Sequence, residues 1–360
     1  MDIFKKQILS IMQNKFLLLI YFVLPLMLGL IVYSIFYMGL PRELPIGLID
    51  EDKSALSTQI KFDLNATSTL KVVQVYDSIY AAKNDLSIGK IYGLVVLPKD
   101  MERRVKIGMQ TKILFYYNAQ FVLIGKAINS AFLKVVGTIN AKANFLKSLI
   151  KDSNFDVAMS VALPISSEIH ALYNSNNSYS EFLLTLILPC MWQILIALGM
   201  VNLLQKSLDT KALLIAYSLN VSIFSCWGMV MLKFFEFLGY SMKGEGSILF
   251  LGVLVMVAGI SGVVIFVQSL LGDIAKTVGV VAAYTAPSLA FAGITYPQGS
   301  MEGFALFWSH LLPISYFMKF YLQQADYGLD IVSGLKIIGQ MLPFLLFFPL
   351  GIFIHNLRQK

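Results

Sequence analysis

Six apolar runs decide what this chain can fold into. Residues 16–38 carry no charged side chain, and after residue 181 five more runs follow with only brief polar joints between them. A bilayer core of about 30 Å takes roughly 20 helical residues to cross. The runs 182–204, 212–235, 247–271, 277–294 and 337–354 therefore read, with 16–38, as transmembrane helices. With 57% hydrophobic and only 14% charged residues, the 360-residue chain is too apolar for a soluble globule.

The net charge is +7, but the basic residues are scattered without a Lys/Arg stripe or interleaved aromatics, which excludes a nucleic-acid partner. A cleaved signal peptide is the rival reading of the first run, and the sequence speaks against it. The first run is too long for one, and no small-x-small cleavage site follows Tyr33. It reads as an uncleaved anchor, kinked at Pro25. Ahead of it, residues 1–15 place Ile3, Phe4, Ile8, Leu9, Ile11 and Met12 near one helical face, which suits an amphipathic helix lying on the lipid bilayer. Cys190 and Cys226 lie inside apolar runs and read as packed thiols.

Residues 39–180 are different. β-Branched and aromatic runs at 46–50, 71–76, 91–97 and 112–117 alternate with helical patterns at 54–64, 77–87 and 99–106. A long helical pattern follows at 119–150. The stretch predicts a small α/β domain, with a long helix, inserted into a mainly α-helical polytopic membrane protein. Asn65-Ala-Thr67 and Asn176-Asn-Ser178 match a glycosylation sequon by chance.

Six crossings put both termini on one side. Lys5, Lys6, Lys15, Lys206, Lys211, Lys276, Arg358 and Lys360 fall on that side against Asp2, Asp209 and Asp273, while the opposite short loops have no basic bias. The positive-inside rule makes the termini cytoplasmic and residues 39–180 external. Residues 299–321 hold two pieces too short to cross, broken by proline and glycine, and read as re-entrant helices shielded by protein.

No catalytic grouping stands out. There is no G-x-x-x-x-G-K-[ST] loop, so the chain binds no ATP by that route. His170, His310 and His355 lack ligand spacing, so no metal site is expected. Asp50/Asp52 and Asp100/Glu102 read as turn and capping residues rather than acid–base pairs. Lys233 and Glu236 share a helix face near the end of the third run and read as a snorkelling pair. Gln193, Asn220 and Gln268 read as interhelical hydrogen-bonding groups.

Three strings carry a resemblance. Gly47-Leu-Ile-Asp50-Glu-Asp52-Lys-Ser54-Ala-Leu56-Ser57 fits a strand followed by D-x-D-x-S-x-L-S. Gly93-Leu-Val-Val-Leu-Pro98-Lys-Asp-Met101 fits a strand ending in P-x-x-[FM]. Pro287, Gly293 and Pro297, then Leu312-Pro313-Ile-Ser315-Tyr316, fit P-x(5)-G-x(3)-P followed by L-x-P-x-[ST]-[YH]. In order and spacing these resemble the permease subunit of bacterial type-2 ABC exporters, in the branch with a large periplasmic domain after the first transmembrane helix. The joint after the second run departs from the family's E-[RK]-E-x-G-T: here it is Gln205-Lys206-Ser207-Leu208-Asp209-Thr210.

The resemblance implies a non-enzymatic subunit of the bacterial inner membrane, with residues 39–180 in the periplasm. It implies that two permeases, identical or sister chains, pair above cytoplasmic ABC ATPase subunits that hold the ATP and Mg, this chain binding no cofactor. A periplasmic adaptor is a further expected partner. Residues 205–211, ending in Lys211, would form the ATPase-coupling surface together with the N-terminal helix. The substrate path would run along the first, second and fifth spans, past Tyr21, Phe22, Met27, Leu186, Met191 and Trp192, whose apolar surfaces suit a hydrophobic or amphipathic cargo. The competing reading is a membrane receptor whose external domain binds a ligand; the short tail after the last run, ending at Lys360, offers no output domain.

Overall fold

The computed structural model describes residues 2–37, 42–107, 109–152, 174, 178–204 and 209–359. Two compact units are present: Met1–Gly39 with Ala171–Lys360, and Leu40–His170.

In the first unit, among the described residues, six helices are long and apolar enough to cross a membrane: Lys15–Phe36, Tyr179–Leu203, Thr210–Phe237, Gly246–Leu271, Ile274–Phe291 and Ile331–Arg358. The helix Asp2–Gln13 precedes them. It buries Ile11 and leaves Phe4, Leu9 and Met12 exposed, as an interfacial amphipathic helix requires. The fourth span is the central post, with 78% of its apolar window buried. Small residues let neighbours close in on it. A Cβ at Gly252 would stand 2.2 Å from the Phe320 ring, which leaves no room for a side chain, and one at Gly262 would sit a tight 3.1 Å from the Phe348 nitrogen.

Two spans are interrupted where proline removes an N–H. The fifth ends its first helix at Thr285, and a short helix Ser288–Phe291 restarts after Pro287. The sixth begins at Ile331, earlier than the apolar run at 337 indicated. It passes through a 3₁₀ turn at Leu342–Leu346, which contains Pro343, before continuing as Phe347–Gln359. Between these spans lie Gly303–Leu311 and Pro313–Tyr321, nine residues each. At 1.5 Å per residue each is about 14 Å long, half a bilayer core.

The second unit holds a four-stranded sheet, β1 (Leu44–Asp50), β2 (Leu70–Val75), β3 (Gly93–Leu97) and β4 (Leu114–Tyr117), in the order β2-β1-β3-β4. β1 is parallel to both β2 and β3; β4 runs antiparallel to β3. The crossovers are α1 (Ala55–Asn65) and α2 (Ile79–Ser87); α3 (Met101–Lys106) joins β3 to β4, and α4 (Val122–Asp152) follows β4. Both faces of β1 and β3 are covered, which is why these strands are nearly continuous apolar runs. Leu44, Ile46, Leu48, Val95 and Leu97 meet Ile60, Leu64, Ile128 and Phe132 on one face. Ile49, Leu94 and Val96 meet Tyr76, Ala82 and Ile91 on the other. At Gly47 a Cβ would lie 2.6 Å from the Tyr76 ring, so a side chain has no room there.

Candidate functional site

The first span carries the most irregular backbone near the expected path. Asn14 caps its start, Oδ1 accepting from the N–H of Phe16 at 3.0 Å and of Leu17 at 3.4 Å. A π-helical turn then occupies Leu19–Val23, and Pro25 follows at once. Proline has no N–H to return to the carbonyl four residues back, here that of Tyr21. The indole Nε1 of Trp227, on the third span, donates to that carbonyl at 2.7 Å. A side chain 206 residues away thus replaces the missing backbone donor.

The Tyr21 side chain is committed to the same neighbour. It is fully buried, and its hydroxyl donates to Asn220 Oδ1 at 2.5 Å. Asn220 Nδ2 donates to Ser261 Oγ at 2.8 Å and to the Ile196 carbonyl at 3.3 Å. One amide therefore ties the first four spans together, and the Tyr21 ring leans on Phe224 with centroids 5.1 Å apart. Gln193 Nε2 donates to Ser288 Oγ at 2.5 Å, linking the second span to the break in the fifth. Asn220 and Gln193 bond between helices as their polarity inside apolar runs indicated. The Oε1 atoms of Gln193 and Gln268 have no hydrogen-bond partner among the described residues. Ser261 and Trp227 gave no sequence signal beyond being polar atoms in uncharged helices.

The expected path residues divide three ways. Phe22 and Met27 are exposed on the first span, each at 46%. Tyr21 and Leu186 are buried in the core. Met191 and Trp192 line a half-open groove of about 130 Å³ between the first three spans, together with Pro25, Gly29, Trp227 and Val230. Trp192 Nε1 donates to the Phe224 carbonyl at 3.1 Å, so neither indole in the groove has a donor left to offer.

Of the expected coupling surface, Gln205, Lys206, Ser207 and Leu208 lie outside the described residues. Asp209 caps the third span, Oδ1 accepting from Ala212 N–H at 3.2 Å. Thr210 Oγ1 donates to Asn356 Oδ1 at 2.7 Å, joining the start of the third span to the end of the sixth, and Lys211 is exposed. Close by in the last helix, Arg358 Nη2 donates to the Leu270 carbonyl at 2.6 Å and so closes the end of the fourth span.

The motif residues prove to be connectors. Gly293 has φ +86°, a backbone geometry that favours glycine, and Pro313 opens its helix at the first turn. Ser315 Oγ donates to the Phe291 carbonyl at 3.0 Å and Tyr316 Oη to that of His310 at 3.3 Å. Tyr284 Oη donates to the Leu311 carbonyl at 2.6 Å. Together they fasten the two short helices to the fifth span. Lys233 and Glu236 form an exposed 2.7 Å ion pair.

In the sheet unit, Asp50 Oδ1 accepts from Asp52 and Lys53 N–H at 3.1 and 2.8 Å, and its Oδ2 from Ser57 Oγ at 2.8 Å. Ser54 and Ser57 form a capping box that starts α1. Asp52 reaches across to α3. Its Oδ1 accepts from Met101 N–H at 2.8 Å and its Oδ2 from Glu102 N–H at 3.1 Å and Ser54 Oγ at 2.5 Å. The residue before α3, Asp100, is left-handed at φ +58° and makes no cap of its own, so Asp52 supplies it from the β1 loop. Desolvation works against charge on Asp52, but the bonds from Ser54, Glu102 and Met101 outweigh it and hold the carboxyl below the usual range. Pro98 ends β3 next to this junction. The gap beyond the carboxyl ends of β1 and β3 is where open α/β sheets take ligands. Here the chain's own carboxylate occupies the α3 amides that face it.

Six long apolar helices and a buried interhelical polar network define a multi-pass membrane protein. The sequence matches the family described as ABC-2 family transporter protein across residues 15–354, nearly the whole chain, so the chain belongs to that family of transporter permeases. Permeases of this family are non-catalytic membrane subunits, and membership implies ATPase subunits as partners. In a comparison with curated proteins, none matches.

Proposed function

We propose that this chain is the permease half of an ATP-driven exporter that moves a hydrophobic or amphipathic substrate outward across a bacterial inner membrane. The carrying observation is the family match over residues 15–354, which includes both the spans and the sheet unit. In this reading the termini face the cytoplasm and the sheet unit the periplasm, extending the path or docking an adaptor. Two permeases pair, and ATP and Mg stay on the partner ATPase. Residues 205–211 and the N-terminal helix pass the ATPase's closure to the spans, which respond as a two-state assembly. The bond from Thr210 to Asn356 supports the reading, because a push on that joint reaches the last span directly. The apolar walls at Phe22, Met27, Met191 and Trp192 suit a hydrophobic cargo. The self-capped junction at Asp52 speaks against a ligand-sensing sheet unit.

The test is a mild-detergent pull-down of the tagged chain with an ATPase assay of what accompanies it. Recovery of a cassette ATPase, lost when residues 206–211 are scrambled, is expected. No ATPase under several detergents overturns the reading.

A further inference from the structure

The groove between the first three spans is lined almost wholly by apolar surface, and its side chains leave no N–H or O–H donor free to recognise a headgroup, a peptide or a sugar. Both indoles that line it spend their N–H on backbone carbonyls, at Phe224 and Tyr21. Its floor is open: a methyl group built on Gly29 meets no atom within 4 Å. Its rim residues Leu26, Leu30 and Val230 are 53%, 52% and 52% exposed. Leu26 and Leu30 continue the exposed apolar stripe of the first span that runs through Leu19 and Val23. Its lining residues on the second span, such as Met191 and Trp192, lie near the middle of Tyr179–Leu203, well inside the hydrocarbon depth.

We infer that this groove is a binding site for one acyl chain of a bilayer phospholipid, which enters sideways between the first and third spans and packs over Gly29 against Trp192. An unsubstituted hydrocarbon chain matches the lining because it asks for no hydrogen bond, and an empty apolar gap would forfeit the dispersion contacts on both its walls. The groove shares Met191 and Trp192 with the proposed cargo path, but the test below concerns the bilayer's own lipid and needs neither cargo nor ATPase.

The test uses the full chain carrying Trp308→Phe, so that fluorescence comes from the two groove tryptophans, reconstituted in phosphatidylcholine vesicles. Phosphatidylcholine brominated midway along one acyl chain quenches tryptophan on contact. Brominated vesicles should reduce the emission, and Gly29→Leu, which fills the open floor, should restore it. Where Gly29→Leu fails to fold, Gly29→Ala and the rim variant Val230→Phe give the same comparison. Emission that brominated lipid leaves unchanged would assign the groove to a second copy of the chain or to a retained cargo and overturn the inference. Quenching of equal depth with and without Gly29→Leu would place the lipid outside the groove and overturn it as well.

Discussion

Removing the Tyr21 hydroxyl tests the central network most directly. Tyr21→Phe keeps the ring against Phe224 and deletes only the 2.5 Å bond to Asn220. The cost has two opposing parts. Asn220 is fully buried, so its oxygen is left without a donor. Yet a membrane-inserted unfolded chain also finds partners for that oxygen, which keeps interhelical bonds to about 0.6 kcal/mol on average and about 1.7 at most. Tyr21→Phe should therefore lower stability by about 1 kcal/mol. Asn220→Ala also loses the bonds to Ser261 and Ile196 and opens a small gap, and should cost about 2–3 kcal/mol. Unfolding of the purified protein by SDS in mixed micelles, run for both single variants and the double, gives the coupling between them. A coupling of about 1 kcal/mol is expected, the whole effect of the hydroxyl vanishing once Asn220 is gone. If Tyr21→Phe costs as much beside Asn220→Ala as beside the native asparagine, the hydroxyl is not acting through Asn220 and the network reasoning fails.

Trp227→Phe should leave the Tyr21 carbonyl without its replacement donor and cost about 1 kcal/mol by the same unfolding assay, whereas Pro25→Ala, which restores the backbone N–H, should make that loss smaller. Asp52→Ala should uncap α3 at a cost of about 1 kcal/mol, kept modest by solvent around the carboxylate, and raise hydrogen exchange over residues 101–106 with little effect elsewhere. Because the folded carboxyl titrates below its unfolded value, the native capping is fully present above about pH 4 and is lost as pH falls through the lower folded value. Exchange at Met101 and Glu102, corrected for its intrinsic pH dependence, should rise only in that acid range, and should not change with pH in the Asp52→Ala variant. Gly47→Ala forces a methyl to within 2.6 Å of the Tyr76 ring and should destabilise the sheet unit by about 1–3 kcal/mol, read as earlier proteolysis within residues 42–107.

The architecture was legible because its signals are local. An uncharged run long enough to cross hydrocarbon has few alternatives to a helix, so each of the six candidate spans among the described residues overlaps one of the six apolar runs. The alternation of β-branched runs with helical periods predicted the four strands and the helices between them to within a few residues. Element ends were less legible. The sixth span starts at Ile331 because Lys336, which broke the apolar run, is carried within an otherwise regular turn of helix.

What the sequence determined by itself was thus the number and order of the spans, the alternation of strands and helices between the first two, and the family. The first two rest on composition and periodicity along the chain, the family on the three motif strings and the match over residues 15–354. The tertiary structure alone decided that Trp227 repairs the carbonyl left by Pro25, that Asn220 binds Tyr21, and that Asp52 caps a helix about 50 residues downstream. It also decided that Tyr21 and Leu186 turn into the core, and that Met191 and the largely buried Trp192 line a groove. The physical reason is the same in each case. A helix of apolar residues shows no polar face by which its inward side could be read, and hydrogen-bond partners far apart in sequence meet only once the helices have packed.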